Sequence, residues 1–95
     1  MRIVWSPQAR RDLREIYLRI LPENPAAARA LHARIRESVL RLADTPHMGR
    51  PGRVPGTREL VVPGTRYLVP YRVTGDTLHV LRVYHGARKW PEGFP

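Results

Sequence analysis

The chain has no cysteine among its 95 residues. That excludes a disulfide framework and any zinc site built on thiolates, and it fits a reducing compartment. Acids are scarce, with eight Asp and Glu against seventeen Lys and Arg, for a net charge of +9. Lysine is almost missing, since Lys89 is the one cation of the seventeen that is not arginine. No apolar run approaches the roughly 20 residues needed to cross a bilayer. The stretch from Pro7 to Arg14 is polar and basic, so the N-terminus lacks the apolar core of a signal peptide. These absences lead us to expect a cytoplasmic protein with no membrane partner. No H-E-x-x-H, D-x-D-x-D-G or G-x-x-x-x-G-K-[ST] pattern occurs, so neither a metal nor a cofactor is expected.

What is present is one small domain over residues 1–95, with a short Pro-, Trp- and Phe-containing tail at 86–95. The hydrophobic fraction of 42% is ordinary for a globular chain. A chain this short buries roughly 60–65% of the surface its unfolded form exposes, so the core is small. The guanidinium is a planar donor fork suited to phosphate and carboxylate, and a large positive excess points to an anionic partner.

Ile3, Val4 and Trp5 are strand formers, and Ser6-Pro7 is an N-cap followed by a first-turn proline. Ala9, Leu13, Ile16, Tyr17, Ile20 and Leu21 then recur at helical spacing, with arginines on the opposite face. Pro22 stops that helix, and Asn24-Pro25 opens a second with the stripe Ala27, Leu31, Ile35, Val39 and Leu42. So short a connection predicts an antiparallel helical hairpin. Met48 to Pro55 reads as an irregular loop. Three apolar runs follow, at 58–62, 66–73 and 77–84, separated by Pro63-Gly64 and Gly75-Asp76. Short turns between consecutive runs predict an antiparallel meander. In its middle strand Tyr67, Val69, Tyr71 and Val73 share one face. Pro70, on the other, removes a ladder donor and belongs at an edge or bulge. The fold class is therefore α+β: a two-layer domain with an N-terminal strand, an antiparallel helical hairpin and a three-stranded antiparallel meander (β-α-α-β-β-β). The first strand joins the same sheet, because a lone strand is not stable.

The run Gly56-Thr57-Arg58-Glu59-Leu60-Val61 is followed by Tyr67, Val69 and Tyr71-Arg72-Val73. Then come Val80-Leu81-Arg82-Val83, His85, Ala87-Arg88 and Trp90-Pro91. Upstream lie Val4-Trp5-Ser6-Pro7, Ala9, Asp12-Leu13, Pro46 and Gly49-Arg50. In this order, over nearly the whole chain, they resemble the RelE/ParE superfamily of bacterial toxins, the toxin halves of type II toxin–antitoxin pairs. The ending from His85 to Pro91 looks more like the ParE branch. That resemblance implies growth inhibition by protein–protein contact with DNA gyrase, without chemistry. It also implies a cognate antitoxin whose acidic segment folds on binding. The RelE branch would imply cleavage of messenger RNA on the ribosome. A third reading is an inactive toxin homologue or a basic nucleic-acid-binding module.

A sheet covered by helices on one side leaves the other free for function. Arg58, Arg66, Arg72 and Arg82 are its candidate cations. A ribonuclease would need a base, an acid and cations around phosphorus. His85, Arg82, Arg66 and Tyr84 are the candidates for those roles, with His85 the residue whose ordinary pKa lies near neutrality. For a docking toxin, Arg58, Arg72, Arg88, Lys89 and Trp90 are the expected contacts with target or antitoxin. His32 and His47 are expected at the surface, and His79 on a sheet face without a role.

Overall fold

The two cap-plus-proline signals start the two helices. In the computed structural model, which describes residues 1–87, strand β1 (Arg2–Trp5) leads into helix α1 (Pro7–Ile20), and helix α2 (Pro25–Arg41) follows. Ser6 Oγ accepts from the Ala9 N–H at 3.0 Å and Asn24 Oδ1 from the Ala27 N–H at 3.1 Å, so each cap satisfies a donor that the helix leaves free. The buried stripe of α1 is Ala9, Leu13 and Ile16. In α2 it is Ala28, Ile35, Ser38 and Val39, with Leu42 just beyond, so Ala28 rather than Ala27 is enclosed.

The remaining chain forms β2 (Arg50–Pro51), β3 (Arg58–Val61), β4 (Tyr67–Thr74), β5 (Thr77–Val80) and β6 (Tyr84–His85). The sheet order is β1-β5-β4-β3-β2, with β6 also paired to β4. β1 runs parallel to β5, and the other pairings are antiparallel. The fold class holds, with two additions. The loop after the hairpin contributes the two-residue strand β2. The expected third meander strand is divided into β5 and β6.

The division occurs at Pro70. Tyr71 pairs with Val80 and Leu68 with Tyr84, so two residues of β4 face the three residues Leu81–Val83. This is a bulge in the middle of the sheet, beside a proline that has no N–H to give. Pro70 still accepts from the Leu81 N–H at 2.9 Å. The Leu81 carbonyl turns instead to Ser6 Oγ, 2.8 Å away. One hydroxyl thus caps α1 and satisfies the bulge. Ser6→Ala is expected to cost about 1.5 kcal/mol by chemical denaturation, from a lost cap and a lost carbonyl partner. A loss under about 0.5 kcal/mol, the value for an exposed cap in a peptide, would show that the bulge does not depend on it.

Alternation assigns the faces. Tyr67, Val69, Tyr71 and Val73 of β4 lie toward the helices, together with Leu60, Leu78 and Val80, in one core with the helical stripes. The β4–β5 hairpin turns at Gly75, whose φ of +61° suits glycine. The opposite face carries Glu59, Leu68, Pro70, Arg72, His79 and Tyr84 by register. Among the described residues no helix is long and apolar enough to cross a membrane.

Candidate functional site

The four strand arginines expected on the free face do not share it. Arg82 sits in the bulge and binds Asp12 of α1 through Nε at 2.7 Å and Nη2 at 3.0 Å. The same carboxylate accepts from the Val83 N–H at 3.0 Å. This hydrogen-bonded pair, with Asp12 the main cause, raises the Arg82 pKa further. Arg58 opposes Tyr71, on the helix side of the sheet, and its Nη1 donates to the carbonyls of Gly49 (2.8 Å) and His47 (3.2 Å). Arg66 is exposed just before β4, and its carbonyl accepts from the Gly86 N–H at 2.7 Å. Arg72 alone lies on the helix-free face within a strand, half-buried and paired across to His79. Neither Arg66 nor Arg72 forms an ion pair among the described residues.

The candidate ribonuclease residues are separated as well. Tyr84 and His85 are neighbours on an extended strand, and such neighbours point to opposite faces. His85 opposes Tyr67 and meets its ring edge-on, with centroids 5.2 Å apart. Its Nδ1 accepts from the Ala87 N–H at 3.1 Å. Tyr84 opposes Leu68 on the other face and is 9% exposed. Burial first, then the nearby Glu59 carboxylate, raises its pKa above the ordinary tyrosine value. With Arg82 held by Asp12, the four side chains do not converge on one point. Arg88, Lys89 and Trp90 lie outside the described residues.

Sequence reasoning assigned no role to three groups that the structure makes prominent. Asp12 holds the bulge. Glu59, 5% exposed, accepts from Arg50 Nη2 at 3.2 Å and from the Arg53 N–H at 3.0 Å. Tyr71, fully buried, donates to the Pro46 carbonyl at 2.7 Å and accepts from the Gly49 N–H at 2.9 Å. A sequence signal exists for Glu59, which is the sole acid inside the strand runs. Asp12 is marked only as an acid in the arginine-rich stretch of α1. Among the described residues no cluster of His, Asp and Glu could hold a metal ion.

Between β1 and the two helices, Trp5, Leu13 and Tyr17 meet Arg10, Arg14, Arg36 and His32 around an open groove of about 380 Å³. His32 is half-buried there, its ring edge-on to Tyr17 at 5.7 Å.

Residues 3–90 match the family model described as the ParE toxin of the type II toxin–antitoxin system parDE. The chain belongs to this ParE family of the RelE/ParE toxins. It is 43% identical over 91 residues to a candidate toxin, Y4kP of Sinorhizobium fredii, covering 96% of this chain and 94% of that one. Toxin RelE1 of Caulobacter vibrioides is 30% identical over 86 residues, covering 88% and 91%. Among solved structures, a chain of the chromosomal ParDE system of P. aeruginosa superposes with a TM-score of 0.81 at 31% identity, covering 90% of this chain and 95% of that one. A chain of the RelBE2 toxin–antitoxin complex of Mycobacterium tuberculosis reaches 0.61 at 27% identity, covering 88% and 95%. The likeness covers the helical hairpin and the sheet together.

Proposed function

We propose that this ParE-family toxin inhibits growth by docking on DNA gyrase in the cytoplasm, without chemistry of its own, and is neutralised by a cognate antitoxin. The observation that carries the non-catalytic part is the dispersal of the would-be nuclease residues: Arg82 bound to Asp12, His85 against Tyr67 on one face, Tyr84 buried on the other. A general base and a phosphate clamp must lie within hydrogen-bond reach of one reacting group, and these do not. Gyrase as the target is supported by membership of the ParE family. An antitoxin partner is supported by the paired systems named for both structural neighbours. The hairpin groove suits such a partner. Its arginine rim speeds capture of an acidic segment, and Trp5, Leu13 and Tyr17 give that segment apolar anchorage.

The test is expression without the antitoxin while DNA supercoiling and messenger-RNA integrity are followed separately. Loss of supercoiling with intact message is expected, and His85→Ala is expected to leave growth inhibition in place. Prompt message cleavage that His85→Ala abolishes would overturn the proposal in favour of the RelE-type ribonuclease. Steep salt-dependent binding to plain nucleic acid with no toxicity would favour an inactive homologue or binding module.

A further inference from the structure

The charged residues lining the groove between β1 and the two helices are all arginines. Arg10, Leu13, Arg14 and Tyr17 follow the i, i+3, i+4, i+7 spacing of one face of α1. His32 and Arg36, about one turn apart, supply the α2 side. Trp5 of β1 completes the lining, half-buried like Tyr17. Cations thus stand on both sides of an apolar lining: Arg10 and Arg14 on α1, Arg36 on α2. All three are exposed, and none forms an ion pair among the described residues. Asp12, between Arg10 and Arg14 in sequence, is turned to Arg82 instead. Like charges around one opening repel, and an anionic occupant replaces that repulsion with attraction.

The length of the groove selects the form of that occupant. From Arg10 to Tyr17 the helix rises roughly 10 Å. An extended strand crosses roughly 10 Å in about three residues, of which about two point the same way. Two side chains cannot cover Trp5, Leu13 and Tyr17 and also meet cations on both sides. A helix crosses the same distance in about seven residues. Its apolar positions at i, i+3, i+4 and i+7 face the rings, and the positions flanking that stripe reach the cations on either side. Laid against α1 and α2, such a helix packs by ordinary ridges into grooves.

We propose that this groove seats an acidic amphipathic α-helix of a partner protein, its apolar stripe against Trp5, Leu13 and Tyr17 and its carboxylates on both sides of that stripe. This rests on the reading of the groove as the seat of an antitoxin's acidic segment, and it fixes that segment's conformation and sequence pattern. Arg14 and Arg36, on opposite sides, are the residues that select for acids on both flanks.

The experiment measures binding of two fluorescein-labelled synthetic peptides to the full chain by fluorescence anisotropy. Both have about 14 residues, roughly four helical turns, and the same composition, half leucine and half glutamate. One places leucine at i, i+3, i+4 and i+7; the other alternates leucine and glutamate at the strand period. The helical pattern is expected to bind at least about fivefold more tightly and to gain helicity in circular dichroism on mixing. Arg14→Glu and Arg36→Glu are each expected to weaken its binding at least about fivefold. Arg41→Glu makes the same charge change at an exposed position outside the groove and is expected to alter binding by less than about twofold, since exposed charges are well screened. A smaller preference for the helical pattern, with both peptides weakened by the two reversals, overturns the helix and leaves the acidic-segment reading standing. No binding by either peptide, or binding that neither reversal weakens, overturns both. Arg14 and Arg36 are exposed on helix surfaces, so the variants should fold. Should circular dichroism show otherwise, Arg14→Gln and Arg36→Gln decide, with about half the loss in log affinity expected.

Discussion

Asp12→Ala is expected to destabilise the protein by about 3 kcal/mol, and to lower the midpoint of thermal unfolding by about 15 °C for a domain of this size. Three hydrogen bonds end on this one carboxylate, two from Arg82 and one from the Val83 N–H. The side chains of Asp12 and Arg82 are 12% and 16% exposed, so solvent cannot replace the lost partner fully. The substitution takes from a half-buried guanidinium its bidentate partner and from the Val83 N–H its acceptor, the costly way to break such a pair. Residual exposure places the loss at the lower end of the range for enclosed pairs. Asp12→Asn keeps an acceptor for Val83 and should lose about half as much. In a double-mutant cycle, Arg82→Ala in the Asp12→Ala background should cost less than Arg82→Ala alone, because the pair it would break is already gone. Chemical denaturation gives all three values. A loss under about 1 kcal/mol for Asp12→Ala would place the pair with ordinary surface salt bridges.

Tyr71→Phe is expected to cost about 2 kcal/mol, because its hydroxyl is the partner of both the Pro46 carbonyl and the Gly49 N–H. The contact is close: a Cβ on Gly49 would come within 2.6 Å of that hydroxyl oxygen, so glycine is needed for the approach. The substitution should also change the alkaline limb of stability. Burial, partly offset by the Gly49 hydrogen bond and the Arg58 charge, raises the Tyr71 pKa above its ordinary value of 10.0. The unfolded chain therefore releases this proton at a lower pH than the folded chain does. The stabilisation is complete below pH about 10 and declines as pH rises toward the folded pKa, by up to about 1.4 kcal/mol per pH unit for each such tyrosine. Tyr84, raised by burial and by Glu59, adds to the same decline. The unmodified protein should lose stability steeply above pH about 10, and Tyr71→Phe should lose it with roughly half that slope. Equal slopes in denaturant titrations at pH 9 and pH 11 would rule out Tyr71 as a source.

The first of these predictions concerns the junction where the first helix meets the last strands. Ser6 and Asp12, six residues apart on the N-terminal side, hold Leu81, Arg82 and Val83 through the bulge opposite Pro70. The bulge lies one residue before β6, so this fastening also fixes which of Tyr84 and His85 faces the helices.

The sequence by itself determined the local structure and its periodicity. Ser6-Pro7 and Asn24-Pro25 mark the helix starts because cap and proline act within one turn. The faces of β4 follow from strict alternation over Tyr67 to Val73. The family was legible because its strand motifs recur in order over nearly the whole chain. Only the tertiary structure decided which arginines are engaged. Arg82 meets an acid 70 residues away in sequence, and Arg58 finds carbonyls in a loop that has no pattern of its own. Pro70 pointed to an edge or bulge, but not to Ser6, on another element, as the partner of the Leu81 carbonyl. Local signals arise from interactions within a few residues and can be read along the chain. The partner of a charge is set by how distant elements pack, and it has no counterpart in composition or spacing.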